Sequence, residues 1–190
     1  MRFLGPLSIL PLGLAAVLQA APVEAQEWTM IEEESRLEFV FRQMGSPLRG
    51  KWQDFSTEIT FDPDDLANAS VVTLIRIDSV DTGNPERDAG IVGADWFDTG
   101  THPTASFVST GFTHQGGDDY LVTGELTIRG ITEVIEMPMT ITLNGDSAVA
   151  NAVIDLDRRT FEIGRGDWAS DAAVGHDVIL ELEVVAQAAD

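Results

Sequence analysis

"GELTIRGITEVIEMPMTITLNG", residues 124 to 145, is the stretch on which the fold turns. From Ile131 the odd positions read Ile131, Glu133, Ile135, Met137, Met139, Ile141 and Leu143, and the even ones Thr132, Val134, Glu136, Pro138, Thr140 and Thr142. Alternation with a period of two sends successive side chains to opposite faces, so this is a half-buried strand whose greasy face must cover something. Asn144-Gly145, which follows, suits the positive φ angles of a tight hairpin turn.

The same alternation recurs on both sides of that strand. Arg36 to Gln43 sets Leu37, Phe39 and Phe41 against Glu38, Val40 and Arg42. A strand is expected from about Gly50 to Phe61, another from Val71 to Asp78, one with Phe107 after Pro103, and one over Asp119 to Ile128. Ser147 to Asp155 and "HDVILELEVV" complete the series. Two short helices are expected, one in "FDPDDLANAS" with Asp62 as N-cap and one opening at Asn84-Pro85 and broken by Gly90 and Gly93.

About eight strands with one apolar face each and no long helix leave the sheet to cover itself, as a barrel or a sandwich. The barrel is preferred, because a closed eight-stranded sheet has no exposed edge and leaves an interior either filled by side chains or open to one small ligand. The fold class is therefore all-β, a closed antiparallel barrel with one or two short helices.

Residues 1–25 read as an export signal: Arg2, an apolar run from Leu4 to Leu18, and Val23-Glu24-Ala25 before the cut. Pro6 and Pro11 interrupt that run, and a span needs roughly 20 continuous apolar residues, so an uncleaved anchor is the weaker alternative. Residues 26–190 then form one domain, with no transmembrane segment after cleavage, expected in a Gram-negative periplasm. The chain has no cysteine, so burial and backbone pairing must hold it together. Acidic residues outnumber basic ones 32 to 11, giving a net charge of -21 that opposes nucleic acid as a partner.

Catalytic patterns are absent from the sequence. His102, His114 and His176 lack the paired spacing of a zinc site, and "DPDD" at 62 to 65 lacks the glycine and glutamate of a calcium loop. There is no G-x-S-x-G, no thiol nucleophile and no phosphate-binding glycine pattern. Carboxylates are numerous, but in so acidic a chain each reads first as a solvated charge. No metal, cofactor or enzymatic activity is expected. Arg87-Asp88 is the best polar pair, and two segments are locally basic: Arg36, Arg42, Arg49 and Lys51 against Glu38, and Arg158, Arg159 and Arg165 against Glu162. Such cations either gather at a barrel mouth to hold a polar head or neutralise neighbouring acids.

Five segments in order, "WTMIEEESRLEFVFRQMG", "GKWQDFSTEITFDPDDLANASV", "TGNPERDAGIVGADWFDTGTHPTASFVST", "GELTIRGITEVIEMPMT" and "RRTFEIG" with "GHDVILELEVVAQ", make the chain resemble the YceI-like family of exported polyisoprenoid-binding proteins. The resemblance implies a lipocalin-like barrel whose pore takes a long isoprenoid, a polyprenyl lipid or an isoprenoid quinone, or a similar lipid, often in a homodimer and without established catalysis. The family's Asn-x-x-Arg-Asp element falls on Asn84, Arg87 and Asp88, and its L-T-I-R-G-x-T element on Leu126 to Thr132. Glu162 after Phe161 and Ala89 after Arg87-Asp88 depart from the family pattern. Lipid-transfer, quinone-related and stress-related roles are attached to the family, so an enzyme or stress factor acting on a lipid or quinone, or a ligand-free partner-binding barrel, are the competing readings.

Alternation assigns fourteen side chains to the interior: Leu37, Phe39, Phe41, Ile75, Ile77, Phe107, Leu126, Ile128, Ile135, Met137, Met139, Ile141, Leu180 and Leu182. Each alone reads as core; as a set they would also line a lipid site, where flexible thioethers at 137 and 139 suit an irregular chain. Arg42, Arg87, Asp88 and Arg158 are the head-group candidates.

Overall fold

The computed structural model describes residues 26–189, so the expected export signal lies outside the described residues. Eleven strands form one sheet: β1 Glu27–Met30, β2 Arg36–Gln43, β3 Ser46–Trp52, β4 Phe55–Thr60, β5 Ser70–Arg76, β6 Val80–Asp81, β7 Thr104–Gly116, β8 Asp119–Ile128, β9 Ile131–Asn144, β10 Ser147–Asp157 and β11 Asp177–Ala188. Three of the walls are broken strands. β1 continues into β2, β3 into β4 and β5 into β6; β1 and β2 both pair with β11, and the β3–β4 wall pairs with β2 and β1 on one side and with β6 and β5 on the other. Joined in this way, the strands make the expected closed antiparallel barrel of eight walls, shut where β11 pairs with both β1 and β2.

Each break is stitched by side chains or displaced backbone bonds. Between β1 and β2 a 3-10 turn inserts Glu32–Glu34, and the hydroxyl of buried Ser35 donates to Ile31 O while accepting from Val185 N, standing in for the interrupted ladder. Between β3 and β4, Gln53 N donates to Ser79 O and Asp54 N to Ser79 Oγ, which carries the pairing round a corner formed by the 3-10 turn Ile77–Ser79. Local bends of this kind increase twist and help a sheet to close.

The quoted strand behaves as read, with one qualification. Met137, Met139 and Ile141 are buried on the inner face, whereas Glu133, on the same face, is exposed. β10 pairs with β9 only from Asn144 to Met139; beyond Met139 the two strands diverge, and the outer half of β9 is supported by β8 alone. Phe161 and Ile163, from the loop between β10 and β11, join Ile131, Ile135, Ile154 and Leu156 in one cluster there. The turn after β9 consists of Gly145 and Asp146, with Asn144 still paired to Ser147, and the positive φ falls on Gly145.

Of the two expected helices one forms. α1, Pro85–Ile91, is capped by Asn84, whose Oδ1 accepts from Glu86 N and Arg87 N. Residues 61–70 make successive turns instead, because β4 and β5 stay paired to Thr60 and Ser70, and the connection must reverse in the few residues between them. Asp62 accepts from Asp64 N and so caps a turn, not a helix. No helix among the described residues is long and apolar enough to cross a membrane.

Candidate functional site

The two ends of the barrel are built differently. At one end Trp28 donates its indole N–H to Phe61 O at 2.9 Å, and Phe61 meets Phe112 and Tyr120 with ring centres 5.8 and 5.3 Å away. The hairpin turns near residues 117 and 145 lie at this end. At the other end two long connections, residues 82–103 with α1 and 158–176 between β10 and β11, sit beside the tight hairpins at residues 44–45 and 129–130.

Two apolar chambers fill the interior. The upper one, about 470 Å³, lies under α1 and the 158–176 loop and is walled by Phe39, Phe41, Trp52, Ile77, Ile91, Trp96 and Phe97 among others. The lower one, about 90 Å³, runs toward the aromatic plug between Leu37, Phe107, Ile135, Met137, Met139, Ile141 and Leu182. Ile75, Leu126 and Leu180 line both chambers. All fourteen side chains assigned inward by alternation line one chamber or the other, Ile128 belonging to the upper. A lumen of this size falls within the range of small-molecule sites.

The four head-group candidates fare differently. Arg42 is exposed on the outer face, donating to Gly45 O in its own hairpin, and does not line either chamber. Asp88 accepts from both Thr82 N and Thr82 Oγ1, which ties the start of α1 to the chain before it. Arg158 does line the upper chamber, yet it is 4% exposed and donates to the carbonyls of Ile163, Gly164, Trp168, Ser170, Val174 and Gly175. A guanidinium has five N–H groups, so these six acceptors leave none for a ligand. Burial pushes its pKa down from the ordinary arginine value, and the carbonyls with the Trp96 ring at 5.5 Å take the place of a carboxylate. Arg158 is the hub of the loop that roofs the chamber.

Arg87 is the remaining candidate. It lines the upper chamber, lies over the Phe41 ring at 5.7 Å and donates from Nη1 to Thr82 O, while its Nε is buried without a partner. The other expected cations do not gather at the mouth. Arg36 pairs with Glu183, Arg49 with Glu38 and Glu181, Lys51 with Asp81, Arg159 with Asp157 and Arg165 with Glu162, all outside the lumen. Among the described residues no group of three His, Cys, Asp or Glu side chains could hold a metal ion.

Sequence reasoning missed most of the loop-borne walls of the upper chamber: Ile91, Phe161, Ile163, Trp168 and Val174. Period-two alternation cannot see them, since they leave regular strands; the signal was the density of large apolar residues in segments otherwise rich in Gly and Asp. The two loops are locked together. Gly164 N and Arg165 N donate to Asp95 O, Trp96 and Trp168 have ring centres 5.6 Å apart, and Arg129, at the β8–β9 turn, donates to Ala94 O and pairs with Glu162.

A family profile described as YceI-like domain matches residues 28–186. The chain belongs to the YceI-like family. Protein YceI of Escherichia coli O17:K52:H18 is 33% identical over 143 residues, 73% of this chain and 74% of that one. A UPF0312 protein of Pectobacterium atrosepticum is 34% identical over 116 residues, a match spanning 60% of the length of each. Burkholderia cenocepacia BcnA, a crystal structure, aligns with a TM-score of 0.79 at 33% identity, covering 82% of this chain and 98% of BcnA. A polyisoprenoid binding domain from Saccharophagus degradans shares the fold at a TM-score of 0.69 and 15% identity, covering 85% of this chain and 98% of the domain. The two-chambered barrel described above is thus a YceI-like barrel.

Proposed function

We propose that this YceI-like protein is an exported binding protein that holds a long-chain isoprenoid, a polyprenyl lipid or an isoprenoid quinone, or a similar lipid in its lumen, as carrier or reservoir and without catalysis. The observation that carries this reading is the pair of apolar chambers meeting at Ile75, Leu126 and Leu180, the upper under α1 and the lower bordered by Trp28 and Phe61. A chain with a polar end and a hydrocarbon tail fits such a lumen. Burying on the order of 300 Å² of tail contributes about 7 kcal/mol before ordering costs, enough for selective retention when the lumen is preformed. The polyisoprenoid binding named for the Saccharophagus domain gives a precedent within this fold. Residues 1–25, read as an export signal, support a periplasmic location, and the described residues of one chain suffice to line both chambers.

The test is equilibrium dialysis of delipidated protein against a labelled polyprenol, with Leu180→Trp as the comparison. Saturable binding by the wild type that weakens by about tenfold or more in the variant is expected, because the indole closes the passage between chambers. Absence of saturable binding to the wild type would overturn the proposal.

A further inference from the structure

We infer that a lipid enters and leaves through the side of the barrel, between β9 and β10, with the outer half of β9 as a gate latched by Arg129. The inference rests on the lipid-binding reading above and adds the route into the lumen.

The seam starts at one residue. β9 and β10 are paired as far as Met139 and Ala152, and the next pair would join Pro138 to Val153. Ile141 N donates to Asp118 O, on the β8 side. Backbone groups alternate sides along an antiparallel strand, so those of the even-numbered residues of β9 turn toward β10. Proline has no N–H, and Pro138 therefore cannot carry the ladder past Met139. Beyond it, Thr132, Val134 and Glu136 on one lip face Val153 and Asp155 on the other. All five are exposed, and among the described residues no backbone bond crosses between the lips.

Side chains alone close this seam. Ile131 and Ile135 from β9, Ile154 and Leu156 from β10, and Phe161 and Ile163 from the following loop pack together there. Ile135 and Ile154 also line the lower chamber, and Leu156, Phe161 and Ile163 the upper, so the seam lies where the two chambers meet.

The roof is held differently. Arg158 gathers six loop carbonyls, and Gly164 N and Arg165 N both donate to Asp95 O, at 2.9 and 2.7 Å. Lifting the roof would break many of these bonds and leave buried polar groups without partners. The outer half of β9 is bonded to β8 alone, and segments with few hydrogen bonds open first. Its tip is fastened by Arg129, whose Nη2 donates to Ala94 O at 2.9 Å and whose Nη1 lies 3.6 Å from Glu162 Oε2.

The chain has no cysteine, so two introduced thiols can be bridged without side reactions. Glu136→Cys/Asp155→Cys places them on the two lips, and Asp95→Cys/Arg165→Cys places them across the roof. Each delipidated protein is bridged with bis(maleimido)ethane or capped singly with N-ethylmaleimide. Loading with tritiated geranylgeraniol, and its release into excess phosphatidylcholine vesicles, are then timed. Bridging the seam is expected to slow loading and release alike by about tenfold or more, leaving the dissociation constant unchanged, because a gate sets rates and not the equilibrium. Bridging the roof should leave both rates unchanged. Arg129→Gln, which needs no bridge, is expected to speed both about 3- to 10-fold at unchanged affinity. A bridged seam that exchanges lipid as fast as its capped control, a roof bridge that slows exchange as much, or Arg129→Gln rates equal to the wild type overturns the inference while leaving lipid binding intact. A wild type that takes up no geranylgeraniol removes the lipid-binding reading, and this inference with it.

Discussion

The ring of Phe39 occupies the place where a β-carbon of Gly50, its register partner across β2 and β3, would stand. Phe39 Cε1 would be 2.8 Å from such a carbon and Thr82 Cγ2 2.9 Å. The missing side chain lets the ring settle into the wall, leaving the upper chamber open. Gly50 does not have a positive φ, so alanine suits its backbone and the effect of substitution is steric. Gly50→Ala is expected to push Phe39 into the lumen, cost about 1–3 kcal/mol in thermal or denaturant unfolding, and reduce lipid loading. Unchanged melting and loading would contradict the assignment.

Gly124 plays the same part lower down, where the Phe107 ring and Val108 O crowd its vacant β-position, the latter at 2.7 Å. Here the ring borders the lower chamber. Gly124→Ala is expected to shorten the longest chain retained, with little effect on short ones, as read by dialysis of a polyprenol series. Equal loss at every length would show that the variant only destabilises the barrel.

Arg158→Met keeps the aliphatic stem and removes every donor to the six carbonyls. Several buried acceptors without partners should cost about 3 kcal/mol or more. Limited proteolysis is expected to cut first within residues 158–176, ahead of global unfolding; a variant as resistant as the wild type would show that the carbonyls do not depend on this side chain.

Asp157 supplies a pH signature. Hydrogen bonds from the Arg159 side chain hold its carboxyl at about 2, below the ordinary 3.8. A depressed folded-state pKa means that the unfolded chain takes up the proton first as pH falls. The contribution is therefore complete above 3.8 and disappears as pH falls toward about 2. The difference in melting temperature between wild type and Asp157→Asn should be steady near neutrality and vanish at the acid end of that window. A difference that persists there would mean that the carboxylate charge is not its source.

Strand interiors were readable because a two-residue period leaves a one-dimensional trace: Phe39, Phe41, Met137 and Met139 face inward as their spacing dictates. Three continuities were not readable. The joins at residues 31–35, 53–54 and 77–79 keep each wall beside its neighbouring wall while breaking the period, so the end of β3 and all of β4 looked like one strand from about Gly50 to Phe61, and β5 appeared to run on to Asp78. Arg158 looked like a free mouth cation, because nothing in "DRRTFEIG" announces that the loop beyond it, as far as Gly175, folds its carbonyls around the guanidinium. Trp52 was legible as a strand residue, but its unpaired N–H depends on what surrounds it in space.

The central claim is that the lumen holds a hydrocarbon tail from outside the chain. Organic extraction of protein purified natively from the exporting cell, followed by mass spectrometry, tests it most directly. A long-chain apolar lipid recovered in near-stoichiometric amount from the wild type, and depleted in Leu180→Trp, is the predicted result. Extracts from the wild type that hold no such lipid, or the same lipid in equal amount from the blocked variant, would contradict it.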